Sequence, residues 1–145
     1  MKHYLLIFIA LLAVSLVQAQ PPGKKGRQEQ IEKAKISFIT ERLSLTQEQS
    51  TKFWPVYNEF SAKRRQHMME TKRLNKENKN PSIGDEQLKQ NLSLMLDKKQ
   101  AIVSLEKEYL PKFLNVINPR QVDALQRAEK DFMRMLRKRM EERKN

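Results

Sequence analysis

The sequence predicts an all-α protein: four helices around a long, kinked antiparallel hairpin, elongated and curved, and paired as a homodimer. Three observations predict it. Apolar residues recur at helical spacing in four segments. Two of these segments open on a helix-start signal, Leu45-Thr46-Gln47-Glu48-Gln49 and Ile117-Asn118-Pro119-Arg120-Gln121. The third segment is apolar over a wider arc than a helix needs for one neighbour.

Each start signal has the spacing of a capping box. The Thr46 or Asn118 oxygen accepts from the N3 amide, and the Gln49 or Gln121 side chain reaches back to the cap residue's own amide. Pro119 suits the first helical position, where its missing N–H costs nothing. Ile117 and Val122 are placed for a hydrophobic staple, whereas Leu45 faces Ser50 and has no such partner. Leu45, Thr46, Gln49, Asn118 and Gln121 are therefore read as structural residues.

The elements follow in order. Met1-Lys2-His3 is a short positive start, Tyr4 to Val17 is mostly apolar, and Val17-Gln18-Ala19 ends on small residues at −3 and −1. That is a secretory signal over residues 1–19, cleaved after Ala19, and it predicts an exported, periplasmic protein. Residues 20–27 hold a Pro pair, two glycines and three cations, and read as a flexible basic tail. A helical domain over residues 28–142 follows. Its first helix runs from Gln28 to Leu43, with Ile31, Ala34, Phe38 and Ile39 on one face.

The second helix starts at Gln47 and carries Phe53, Val56, Tyr57 and Phe60, continued more sparsely by Met68 and Leu74. Asn78, Asn80, Pro81 and Gly84 mark the turn, and the third helix begins near Asp85. There, Leu88, Met95, Ile102, Tyr109 and Val116 recur every seven residues, as do Leu96, Val103, Leu110 and Ile117, with Leu92 and Phe113 between the rows. So wide a face calls for a second surface, most simply another subunit. Pro55 and Pro111 fall inside helical patterns and should kink both helices at one level of the hairpin. The fourth helix runs from Pro119 to Glu142, with Val122, Leu125, Phe132, Leu136 and Met140 on its apolar face.

Leu45 to Gln49, read as LTxxQ, resembles the signature of the Spy/CpxP-like periplasmic proteins, which usually carry two copies; the second here is Ile117 to Gln121. The run Lys52-Phe53-Trp54-Pro55-Val56-Tyr57-Asn58-Glu59-Phe60 also resembles members known as sensors linked to extracytoplasmic-function (ECF) sigma factors. The resemblance covers residues 28–140. It implies a cradle-shaped dimer that holds clients on a concave face. It also implies one of two activities. The first is an ATP-independent chaperone for unfolded or stress-damaged proteins. The second is a stress or heavy-metal sensor acting on a membrane-bound anti-sigma factor.

Composition narrows the classes. The 145 residues contain 29 Lys and Arg against 17 Asp and Glu, a net charge of +12, and no cysteine. Removing residues 1–19 takes away only Lys2. Such a balance points to an anionic partner, and export turns the expectation from nucleic acid to unfolded chains, a regulatory protein or an anionic envelope surface. The excess lies in residues 61–79 and 134–144. Within it, Met68 and Met69 adjoin Arg64 and Arg65, while Met133 and Met135 adjoin Arg134, with Arg137 and Lys138 close behind. Soft side chains among cations suit the capture of unrelated polypeptides, so these nine residues are read as the client-binding surface. No cysteine nucleophile or glycine-rich phosphate loop is present, and His67 is the one histidine after Ala19. No enzyme and no cofactor are expected. His67 and Glu70, at i and i+3, are the only metal ligands worth naming, and a firm site needs three or four donors.

Overall fold

A computed structural model describes residues 23–143, so the signal segment and its cleavage point lie outside the described residues. The chain divides after Ala34, and residues 35–143 hold the core. The described residues form four helices: α1 (Lys24–Arg42), α2 (Gln47–Glu77), α3 (Asp85–Leu114) and α4 (Pro119–Glu142). None of the described helices is long and apolar enough to cross a membrane.

Helix α1 begins four residues earlier than expected, inside the segment read as a basic tail. Lys24, Lys25, Arg27 and Gln28 are good helix formers, and one interrupting glycine costs only about 1 kcal/mol. Its other end is a Schellman turn. The Leu45 amide donates to the Thr40 carbonyl and the Ser44 amide to the Glu41 carbonyl. Ser44 takes the left-handed position with φ 49°, where glycine usually sits. One further residue, Leu45, then leads to the cap of α2.

Helices α2 and α3 form the antiparallel hairpin. Asn78 pairs with Asn91, Glu70 with Lys98, Phe60 with Tyr109 and Phe53 with Phe113. These pairs fix a register in which Pro55 and Pro111 stand at one level. Both helices run unbroken through their prolines. Each proline is exposed, so the backbone acceptor it leaves unbonded lies toward water rather than the core. The turn is closed by the Ile83 amide on the Asn80 carbonyl and the Ser82 amide on Asn80 Oδ1. Gly84 caps α3 without a side chain, and Asp85 and Glu86 in its first turn favour the helix dipole.

The core gathers where all four helices meet. Ile39 and Leu43 come from α1, Phe53, Tyr57 and Phe60 from α2, and Leu105, Tyr109 and Phe113 from α3. Ile117 and, from α4, Leu125 and Ala128 complete it. Aromatic rings dominate, with Phe53 stacked on Tyr57 at 5.5 Å and Phe60 edge-on to Phe113 at 5.5 Å. Val122 packs against this cluster, which includes Ile117.

Three packing expectations change. Met68 is 56% exposed, so it does not extend the core face of α2. The buried line runs instead past Arg64 and His67 to Leu74. On α3 it runs through Leu88, Asn91, Met95, Lys98, Ile102, Leu105, Tyr109 and Phe113, in steps of three or four. Of the second predicted row, Leu96, Val103 and Leu110 face outward, joined by Leu92 from between the rows, and all four are more than 40% exposed. The seven-residue pattern outlives the helix: α3 stops at Leu114, Asn115 caps it, and Ile117 is buried from the connecting turn.

Candidate functional site

Both capping boxes form in full. Gln49 N donates to Thr46 Oγ1 and Thr46 N to Gln49 Oε1, both at 3.1 Å. Gln121 N donates to Asn118 Oδ1 at 2.9 Å and Asn118 N to Gln121 Oε1 at 3.0 Å. The boxes also meet, although 72 residues separate them. The two glutamine amides pair reciprocally, each Nε2 donating to the other's Oε1 at 3.2 Å. Gln121 Nε2 also donates to the Leu43 carbonyl at 3.0 Å. The Gln121 amide thereby uses both of its donors and both acceptor positions. One side chain closes the end of α1 and the starts of α2 and α4. Sequence reasoning found each box and missed the junction between them.

A second cluster lies on the inner face of α2. Arg64 grips Glu129 of α4 with both guanidinium nitrogens, Nη1 to Oε2 at 3.0 Å and Nη2 to Oε1 at 2.5 Å. The Tyr57 hydroxyl donates to the same carboxylate at 2.6 Å, and the Arg64 guanidinium lies over the Phe60 ring at 4.7 Å. The pair is largely withdrawn from solvent, with side chains 22% and 18% exposed. Burial disfavours the Arg64 charge, but the hydrogen bonds and charge of Glu129 outweigh it and raise its pKa. Arg64 is therefore removed from the client-binding set: its charge is spent on fastening α4 to the hairpin. The cleft beside it, lined by Glu106, Leu110, Val122 and Gln126 among others, has a volume of about 70 Å³. That is room for a few waters and too little for a substrate.

The remaining predicted residues fall in two groups. Arg65, Met68 and Met69 are exposed on α2, the methionines at 56% and 65%. On α4, Met133 is 52% exposed, Arg134, Arg137 and Lys138 are exposed, and Met135 is half-buried. The proposed metal ligands part company. Lys98 Nζ lies 2.5 Å from Glu70 and holds its carboxyl below the ordinary range by hydrogen bonding. His67 presents a buried Nδ1 with no hydrogen-bond partner. Among the described residues no three His, Cys, Asp or Glu side chains gather as a metal site would need.

No family model matches the chain, and no curated protein or solved structure is significantly similar to it. The likeness to LTxxQ proteins thus rests on the two boxes and on the run from Lys52 to Phe60. Of that run, Phe53, Tyr57 and Phe60 are core residues.

Proposed function

We propose that this protein is an ATP-independent chaperone-like protein of the periplasm that holds unfolded or stress-damaged polypeptides. One observation carries the reading: exposed methionines stand among exposed cations on two helices, away from the aromatic core. Met68 and Met69 accompany Arg65 on α2, and Met133 and Met140 accompany Arg134, Arg137 and Lys138 on α4. Flexible thioethers accept apolar segments of varied shape, and the cations draw in acidic chains without demanding one sequence. A site of this kind needs neither a deep pocket nor bound nucleotide. The protein acts as a homodimer, joined through the outward row on α3 formed by Leu92, Leu96, Val103 and Leu110. The test is suppression of aggregation with two unrelated, chemically unfolded clients. Replacing Met68, Met69, Met133 and Met140 with serine should shorten the bound lifetime of both clients. Tight capture of a single periplasmic or membrane-bound protein, with no protection of unrelated clients, would overturn this reading in favour of a sensor that acts on an anti-sigma factor.

A further inference from the structure

The two halves of α2 treat their cations differently. In the first half each paired lysine sits one turn from its carboxylate: Lys52 bonds Glu48 at 2.7 Å and Lys63 bonds Glu59 at 2.8 Å. In the second half Glu70 is committed to Lys98 across the hairpin, and Glu77 pairs with Arg73 one turn before it. Arg65, Lys72, Lys76 and Lys79 are left without an ion pair among the described contacts, and all four are exposed. Their spacing is the decisive feature. Arg65, Met69, Lys72 and Lys76 follow one another by four, three and four residues, so they form a single stripe along the helix, and Lys79, in the turn just past its end, lines the same hollow as the last three. From Arg65 to Lys76 the stripe runs about 17 Å at the helical rise. Met69 stands within it and Met68 beside it, while Met69, Lys72, Arg73, Asn75, Lys76 and Lys79 line a broad surface hollow of about 580 Å³.

From this stripe we infer that the outer face of the distal half of α2 docks on the surface of an anionic lipid bilayer. Charge complementarity selects an anionic partner, since four uncompensated cations face one way. Two methionines more than half exposed supply an apolar edge that can enter the boundary between headgroups and acyl chains. No aromatic residue interrupts the stripe, so it lacks the stacking platforms that single-stranded nucleic acid uses. A flat row of cations suits a plane of repeating charges, to which each Lys or Arg near the surface adds attraction. This inference does not rest on the client reading. The methionines and cations of α4 lie outside the stripe, so aggregation suppression through them and lipid docking can fail separately.

The test is co-sedimentation of the full chain with phosphatidylcholine vesicles and with vesicles that also contain phosphatidylglycerol. The neutral vesicles report what the apolar segment at residues 4–17 contributes, and that segment is common to every variant. Binding should favour the anionic vesicles and weaken between 0.1 and 1 M salt as screening shortens. The R65Q/K72Q/K76Q/K79Q variant should lose on the order of a thousandfold in partitioning. R134Q/R137Q/K138Q/R139Q removes as many charges from α4 and should lose far less. M68S/M69S should weaken the binding that remains at high salt. Circular dichroism checks each fold, and K72Q/K76Q, expected to lose about thirtyfold, replaces the fourfold variant if that one is misfolded. Equal losses in the α2 and α4 variants would overturn the inference, because net charge alone would then explain binding. So would equal binding to neutral and anionic vesicles, or tighter binding to double-stranded DNA or polyglutamate than to the anionic vesicles.

Discussion

At the scale of single residues, Gln121 carries more of the fold than its place in a capping box suggests. Thr46→Ala removes one cap acceptor and should cost about 1 kcal/mol. Gln121→Ala removes the side chain's own box bond, both bonds to Gln49 and the one to the Leu43 carbonyl. It should cost about 2–3 kcal/mol in chemical denaturation, well above Thr46→Ala. Gln49→Ala should fall between them, because Gln49 shares the reciprocal pair but does not reach Leu43. Gln121→Glu keeps the shape and loses both donors, so it should recover little of the loss. Equal costs for Thr46→Ala and Gln121→Ala would remove the junction from the account. Ser44 offers the opposite sign: Ser44→Gly relieves a left-handed φ of 49° and should stabilise by about 0.5–1 kcal/mol. The boxes were legible in the sequence because capping is local, three residues deep. Their meeting was not, because nothing in either pentapeptide specifies a partner 72 positions away. The same limit misplaced Arg64, whose neighbours in sequence are charged, but whose partner, Glu129, belongs to another helix.

At the scale of elements, the hairpin was legible because two long periodic segments flank a turn rich in Asn, Pro and Gly. Which apolar row of α3 faced α2 was not, since both rows repeat every seven residues with similar hydrophobicity. The choice is tied to polar residues that a hydrophobic count passes over. Asn91, only 1% exposed, donates to Asn78 Oδ1 at 2.8 Å and accepts from Gln87 at 2.9 Å. Asn78 in turn donates to the Met95 sulfur at 3.6 Å. Such a buried polar layer fixes register, because a slipped hairpin would leave its amides unpaired. Asn91→Ala should cost about 1–3 kcal/mol, whereas replacing Asn78 and Asn91 together with leucine should come close to neutral and loosen the register. Thermal unfolding gives the first quantity, and amide exchange along α2 and α3 the second. The Glu70–Lys98 bridge adds a pH dependence. Lys98 holds the folded pKa of Glu70 below its unfolded value, so the bridge stabilises above the unfolded carboxylate pKa. That contribution is lost as pH falls through the folded pKa. The difference in stability between the native sequence and Glu70→Gln should therefore be present at neutral pH and vanish in acid. A difference unchanged down to the acid limit would mean that the bridge contributes nothing.

At the scale of the whole molecule, the outward row of α3 sets the association to expect. Leu92 is 51% exposed, Leu96 64%, Val103 42%, Leu110 45% and Leu114 41%, and together they form a strip along most of the helix. Strips of this kind mark association surfaces more often than solvated ones, and residues 85–113 carry no net charge to oppose contact between copies. Area sets the strength to expect. From Leu92 to Leu114 the strip runs about 33 Å, and one helix width, about 10 Å, gives about 330 Å² per partner. A standard stable interface buries about 800 Å² per partner. The α3 strip alone therefore supports a weak dimer, in the micromolar range or looser, which exchanges with monomer as concentration changes. Sedimentation velocity across a dilution series should show one reversible boundary moving between the two masses. Leu96→Glu and Val103→Glu, both on the exposed face, should abolish the dimer and leave helicity and unfolding temperature nearly unchanged, since neither side chain belongs to the core. A dimer that survives both substitutions uses another face. A monomer at every concentration leaves the strip to clients, and in that case the same two substitutions should reduce client capture.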